Sequence, residues 1–337
     1  MAESSACSDT ESLVGQPMTC IDAWGLALAS AAAREQSVVV LVNDSISSAG
    51  LGTFAKRFPD RVIDVGIAEQ NLVSVAAGLA MAGKTVFVSS AASFLTGRAL
   101  EQIKIDVAYA RTNVKLIGQS PGVSYGPLGP THHAIEDITW MSALPGVPVV
   151  APSNPAETMA AVSWAASWPQ CVYIRIPRKL YGNPPALPTT FEFGRATVVR
   201  AGCDVTLLTT GAAAGLAVAA ADILALERIE AQVICMSTVK PLDTDQLLDA
   251  ATKTAGIVTV EDGIVNGLGG SVAAFLAEQR PTPIRRIGFR DQFATLGVDD
   301  AILERAGIGV NEIASAARSL CQSSLVRIPG PRTDEHA

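Results

Sequence analysis

Val62-Ile63-Asp64-Val65-Gly66-Ile67-Ala68-Glu69-Gln70-Asn71 is the stretch from which the fold can be read. The β-branched run over 62–65 predicts a short strand, and Gly66 supplies a turn. From Ala68 to Met81 the apolar residues Leu72, Val75 or Ala76, and Leu79 recur at helical spacing, which predicts a helix with one buried stripe.

Outward from this unit the same alternation repeats. Val38–Val42, Thr85–Val88, Val114–Ile117 and Val147–Val150 are further short apolar runs, with longer helical stretches between them. Strands apolar on both faces and separated by helices imply a parallel sheet covered on both sides. A break follows Tyr173–Pro177. Residues 177–190 contain Pro177, Pro184, Pro185, Pro188 and the turn at Gly182-Asn183, the composition of a linker. A second, smaller alternation then begins, with strands expected at Val205–Thr209, Ala231–Met236, Ile257–Val260 and Ile284–Gly288. The expected fold class is α/β, with two αβα sandwich domains. Their expected bounds are 13–180 and 192–325, with a linker at 181–191 and tails at 1–12 and 326–337.

Composition fits this reading and excludes others. The chain has 337 residues, 49% hydrophobic and 17% charged, which is ample material for two buried cores. A net charge of -7 with 5% aromatic residues is a poor match to a phosphate backbone or stacked bases, so no nucleic-acid partner is expected. Mean hydropathy is +0.32. The longest apolar stretch, Val205 to Leu226, is nonetheless broken at Gly211 and Asp222 and reads as a strand and a helix, so no membrane span is expected. Met1–Ser12 is acidic and serine-rich, unlike a secretory leader. The six cysteines, Cys7, Cys20, Cys171, Cys203, Cys235 and Cys321, include no CxxC pair. Free thiols in a reducing, cytoplasmic compartment are expected, and no metal site in this chain.

Ligands of open parallel sheets bind beyond the carboxyl ends of the strands. Glu69 falls there, in the first turn of a helix. It reads either as an ordinary acid favoured by the helix dipole or as a carboxylate held in a cleft. Phe94 follows another strand and reads as a core residue or a ring platform. The loop Gly118 to His133 is rich in glycine and proline and carries His132; loops of this length in compact domains are usually functional. The run Glu261-Asp262-Gly263-Ile264-Val265-Asn266-Gly267-Leu268-Gly269-Gly270 lacks the spacing of a dinucleotide fingerprint and reads as a packing and turn element.

Taken in order, several motifs resemble the C-terminal half of a transketolase, and in particular the small subunit of split transketolases. They are Asp64-Val65-Gly66-Ile67-Ala68-Glu69-Gln70-Asn71, Thr96-Gly97-Arg98-Ala99-Leu100-Glu101-Gln102-Ile103, Gly129-Pro130-Thr131-His132 and Gly288-Phe289-Arg290-Asp291-Gln292-Phe293. The resemblance runs from about residue 17 to 325. It implies a pyrimidine-binding domain followed by a transketolase C-terminal-type domain, and the cofactor thiamine diphosphate with Mg²⁺. The diphosphate and Mg²⁺ would be bound mainly by a partner, the diphosphate-binding N-terminal subunit, in an α2β2 assembly. The implied reaction moves a two-carbon ketol unit from a ketose donor to an aldehyde acceptor. By the same resemblance, Glu69 would hydrogen-bond the pyrimidine N1′ and so favour the imino tautomer that deprotonates the thiazolium. Phe94 would stack on the aminopyrimidine, and Asp44 would lie near the cofactor. His132 would hydrogen-bond the donor near its carbonyl, with Ser48 and Arg175 holding a distal phosphate.

The sequence departs from the family pattern around the substrate. Ser120 stands where a substrate-contacting histidine is usual, and Leu128 where an acid reads a sugar hydroxyl. Ile21 stands where an arginine is common, Gly97 and Leu100 replace aromatics, and Gly263 replaces a frequent histidine. These changes imply a specialised substrate, less phosphorylated, less hydroxylated or more apolar near Leu128. Two other readings stay open on sequence. One is the β chain of a 2-oxoacid dehydrogenase component, which shares the paired architecture; the other is a non-catalytic relative.

Overall fold

Five consecutive apolar residues, Val38–Val42, form β1, and all five are buried. That is the pattern of a strand covered on both faces. The computed structural model describes residues 18–182 and 187–325. The expected tails, and Pro184 and Pro185 of the expected linker, lie outside the described residues. Further strands are β2 (Val62–Asp64), β3 (Thr85–Ala91), β4 (Val114–Gln119), β5 (Val149–Val150) and β6 (Val172–Ile176). They are followed by β7 (Thr197–Arg200), β8 (Val205–Thr209), β9 (Ala231–Cys235), β10 (Thr238–Lys240), β11 (Ile257–Ile264) and β12 (Ile284–Phe289).

These strands make two sheets, one of seven strands ordered β10-β5-β6-β4-β3-β1-β2 and one of five ordered β12-β11-β8-β9-β7. Both are parallel except at one edge, where β10 runs antiparallel to β5 and β7 antiparallel to β9. This is the α/β class expected from the alternation. In the larger sheet, Trp24 and Leu28 of the helix Cys20–Arg34 pack on one face with Val38 and Val40. Leu72, Val73 and Ala76 of the helix Glu69–Met81 cover the other with Val86 and Val88. The stripe predicted for that helix is therefore its buried face, Leu72 and Ala76 wholly and Val75 and Leu79 in part. No helix among the described residues is long and apolar enough to cross a membrane.

The edge strand β10 was not legible in the sequence. It comes from beyond the linker, yet Thr238 and Lys240 pair with Val150 and Val149 of the first sheet. Register matters most at the other side of that sheet. Val42 lies opposite both Asp64 and Ser89, and Ala91 opposite Gln119, so β2, β1, β3 and β4 present their carboxyl ends together.

The run Glu261–Gly270 shapes the smaller sheet. The buried Glu261 carboxylate accepts the backbone N–H groups of Leu268 (2.9 Å) and Gly269 (2.8 Å), capping the helix Leu268–Gln279. Burial pushes its carboxyl up from an ordinary 4.5 to about 7. The folded chain thus binds this proton more tightly than the unfolded chain, and its contribution to stability is complete below about pH 4.5. That contribution is lost as pH rises through about 7. Glu157 is raised by burial in the same direction. Denaturant midpoints of the parent and of Glu261→Gln, measured from pH 4.5 to 7, should shift in the variant's favour: the parent's standing relative to the variant should fall with rising pH, because Gln cannot hold the extra proton.

Candidate active site

At the carboxyl ends of β1, β2, β3 and β4 lies a cleft of about 230 Å³, lined among others by Asp44, Ser48, Glu69, Ser90, Phe94, Arg98, Gln119 and Tyr125. Asp64, the last residue of β2, sets up its floor. One carboxylate oxygen accepts the backbone N–H groups of Asp44 and Gly66, each at 2.9 Å. Both residues have positive φ, 59° and 73°. Gly66 makes the second of these turns without steric cost, and it swings the chain back to begin the helix at Glu69.

Glu69 is 4% exposed. Its carboxylate accepts from Asn43 Nδ2 at 2.9 Å and from Arg98 Nη1 at 3.2 Å to each oxygen. Phe94 sits in the helix Ala92–Arg98 that follows β3, and the Arg98 guanidinium lies 3.9 Å from the centre of its ring. His132 meets the edge of the Phe94 ring, 5.1 Å between centroids, and Tyr125 flanks His132 at 6.0 Å. Thr131 Oγ1 lies 2.9 Å from His132 Nδ1 and orients the ring. Gln119 donates through Nε2 to Ala49 O (3.2 Å) and Ser89 Oγ (3.1 Å). Its Oε1 and the Ser90 Oγ are buried without a partner. Two orphaned polar atoms, a buried carboxylate and an aromatic shelf in one cleft suit a flat heterocycle with ring nitrogens and an amino group. Four of the residues singled out in the sequence, Asp44, Ser48, Glu69 and Phe94, line this cleft, and His132 stands at its rim.

Arg175 does not belong to it. Its guanidinium is 1% exposed. Nε donates to Asp137 (2.9 Å to Oδ2) and Nη1 to Asp262 of the second domain. Tyr173 donates to the same Asp137 at 2.7 Å, and a Cβ on Gly118 would collide with that hydroxyl. Burial works against the charge of Arg175, but the two aspartates hold the proton firmly. A substrate phosphate has no access to it. The exposed arginine three residues on, Arg178, is the one that reaches the expected substrate residues. Its Nε donates to Ser120 Oγ at 3.0 Å, Nη2 donates to Ser48 O at 3.2 Å, and its guanidinium lies 5.7 Å from the Tyr125 ring centre. Leu128 is 53% exposed, on a turn outside the cleft lining. Asn43, Ser90, Arg98, Gln119 and Arg178 were missed in the sequence, although the first four adjoin positions already marked by strand ends.

The family models for the transketolase pyrimidine-binding domain and the transketolase C-terminal domain match residues 16–184 and 194–313. The chain belongs to the transketolase family. It is 37% identical over 297 residues to the 6-deoxy-6-sulfo-D-fructose transketolase subunit SqwH of Clostridium sp. strain MSTE9, covering 88% of this chain and 92% of that one. To a subunit of the apulose-4-phosphate transketolase of Phocaeicola vulgatus it is 36% identical, covering 89% and 96%. Among solved structures, a split-gene transketolase described as an inactive β4 tetramer superposes with a TM-score of 0.84 at 37% identity, covering 91% and 99%. Similarity thus extends over nearly the whole of these relatives, and a transferase role and thiamine diphosphate follow from the family.

In this transketolase chain the two neighbouring arginines should respond differently to substitution. Arg175→Leu leaves Asp137 and Asp262 buried without their cation and should cost about 3–5 kcal/mol of unfolding free energy. Arg178→Leu, at the surface, should stay within about 0.5 kcal/mol of the parent. Urea denaturation of the two variants checks both.

Proposed function

We propose that this chain is the pyrimidine-binding subunit of a two-chain transketolase, moving a two-carbon ketol unit between a ketose and an aldehyde. The observation that carries the reading is the placement of the Glu69 carboxylate and the Phe94 ring in one cleft at the sheet's carboxyl end. In this reading Glu69 holds a proton at the pyrimidine N1′, Phe94 supports the ring face, and the free Oε1 of Gln119 and Oγ of Ser90 accept from its amino group. When bound, thiamine diphosphate supplies a carbon nucleophile and an electron sink for cleaving and forming the bond beside a carbonyl. The 4% exposure of Glu69 keeps water from competing for that proton. His132, held in place by Phe94, Tyr125 and Thr131, is positioned to donate to a substrate oxygen entering above the shelf.

The diphosphate and Mg²⁺ are assigned to a partner subunit, in an α2β2 assembly. Support comes from the solved relative, an assembly of β chains alone that is described as inactive. Asp262, in this chain's own glycine-rich run, is committed to Arg175 and buried. The substrate is proposed to carry an acidic group remote from its carbonyl. Arg178, Ser48 and Ser120 form a polar corner beside the cleft that suits a sulfonate or phosphate. Related subunits are named for a sulfo-sugar and a sugar phosphate. Leu128 lies outside the lining, so the missing family acid leaves the substrate space open and not apolar. The 2-oxoacid dehydrogenase reading is not favoured, since the matched family models and these relatives are transketolases.

With the partner subunit supplied, Glu69→Gln should lower kcat by about 10²–10⁴-fold, the usual scale for a lost proton-transfer group. Unchanged turnover would overturn the reading. Arg178→Gln should raise KM at least about tenfold for donors bearing a terminal phosphate or sulfonate, while leaving KM for uncharged ketoses unchanged, as expected for loss of a charge-assisted contact.

A further inference from the structure

Arg98 occupies an unusual position. Its guanidinium is planar, lies over Phe94 at 3.9 Å from the ring centre, and directs Nη1 to both oxygens of Glu69 at 3.2 Å. Those are the two groups that the proposed function gives to the pyrimidine ring: a face to stack on and a carboxylate to bond. A flat donor has taken a flat heterocycle's place. The side chain is 53% exposed, whereas its carboxylate partner is 5% exposed, so the cation can leave into solvent and the anion cannot follow. Room for the departure exists. Arg98 is a wall shared by the cleft and by a neighbouring hollow of about 530 Å³ lined by Ile67, Ala68, Gln70 and Asn71. Phe94 and Arg98 are four residues apart on one helix, so a change of rotamer suffices and no backbone need move.

We propose that Arg98 is a placeholder: in the chain without cofactor its guanidinium sits in the pyrimidine seat, satisfies Glu69, and must be displaced before the ring can bind. This rests on the functional reading above. The device keeps a buried carboxylate paired while the seat is empty, and its cost appears as weakened affinity for the pyrimidine. Apparent affinity falls by the fraction of molecules in which the seat is free. Because the cation is half exposed, salt weakens its hold on Glu69, and the occupied fraction falls as ionic strength rises.

The test uses the full chain and 4-amino-5-hydroxymethyl-2-methylpyrimidine, an uncharged probe that needs no partner subunit, with Kd read by ligand-observed NMR titration. Loss of the half-exposed cation's ion pair with Glu69 and of its cation–π contact should make Arg98→Ala and Arg98→Gln bind about tenfold more tightly than the parent. Raising NaCl from about 50 to about 500 mM should tighten binding to the parent and leave both variants unchanged. Phe94→Ala should weaken binding in every background. If Arg98→Ala and Arg98→Gln bind no better than the parent, while Phe94→Ala still weakens binding, the placeholder is wrong and the seat stands. If no variant binds the probe, or Phe94→Ala binds as the parent does, the seat itself is wrong and both proposals fall.

Discussion

A buried cation ties the two sheets together, beside the pairing of β10 with β5. Arg175, near the carboxyl end of the interior strand β6, divides its guanidinium between Asp137 of its own domain and Asp262 of the other. Such a cluster adds little to stability compared with an apolar replacement of the same shape. Its importance lies in what happens when the domains dock wrongly. Any rotation that separates Asp262 from Arg175 strands a charge in a medium that cannot solvate it. The same guanidinium reaches Ala134 O, and Gly122 N pairs with Ala134 O, so the long loop carrying Tyr125 and His132 is anchored at this point. The loop is also pinned from the far side, where Gly297 N donates to Gly126 O. The rim of the cleft is thus built by both domains, though its floor belongs to one.

The floor shows how short-range backbone geometry can place a buried carboxylate. By bonding two backbone N–H groups, Asp64 fixes two left-handed turns and aims Glu69 inward. Asn43, beside it, bonds the carboxylate itself. A buried acid held by a neutral donor and one half-exposed cation can exchange partners without moving.

Much of this was legible in the sequence, for identifiable reasons. β1 and β8 coincide with runs that are apolar on both faces, and the helix from Glu69 has the stripe its spacing implied. β7 and β10 were missed because each is a short edge strand without a continuous apolar run, and β7 is also partly exposed. Glu69 and Phe94 line the cleft; strand ends mark their positions, while the roles expected of them came from the family resemblance. The burial of Arg175 was not legible, because sequence order cannot tell which of two nearby arginines turns inward; a strand interior buries Arg175, and leaving the strand frees Arg178. Arg98 had a visible signal, its separation by one helical turn from Phe94, but it reads equally as a basic residue closing a helix.

The borrowed strand β10 bears on how such a polypeptide can be divided. With Thr238–Lys240 laid along β5, the outer margin of the first sheet is finished by residues that come after β9. Separate synthesis of the two domains would leave β5 with open backbone groups along its outer side. A gene coding for this architecture cannot be broken between the two sheets without opening that ladder.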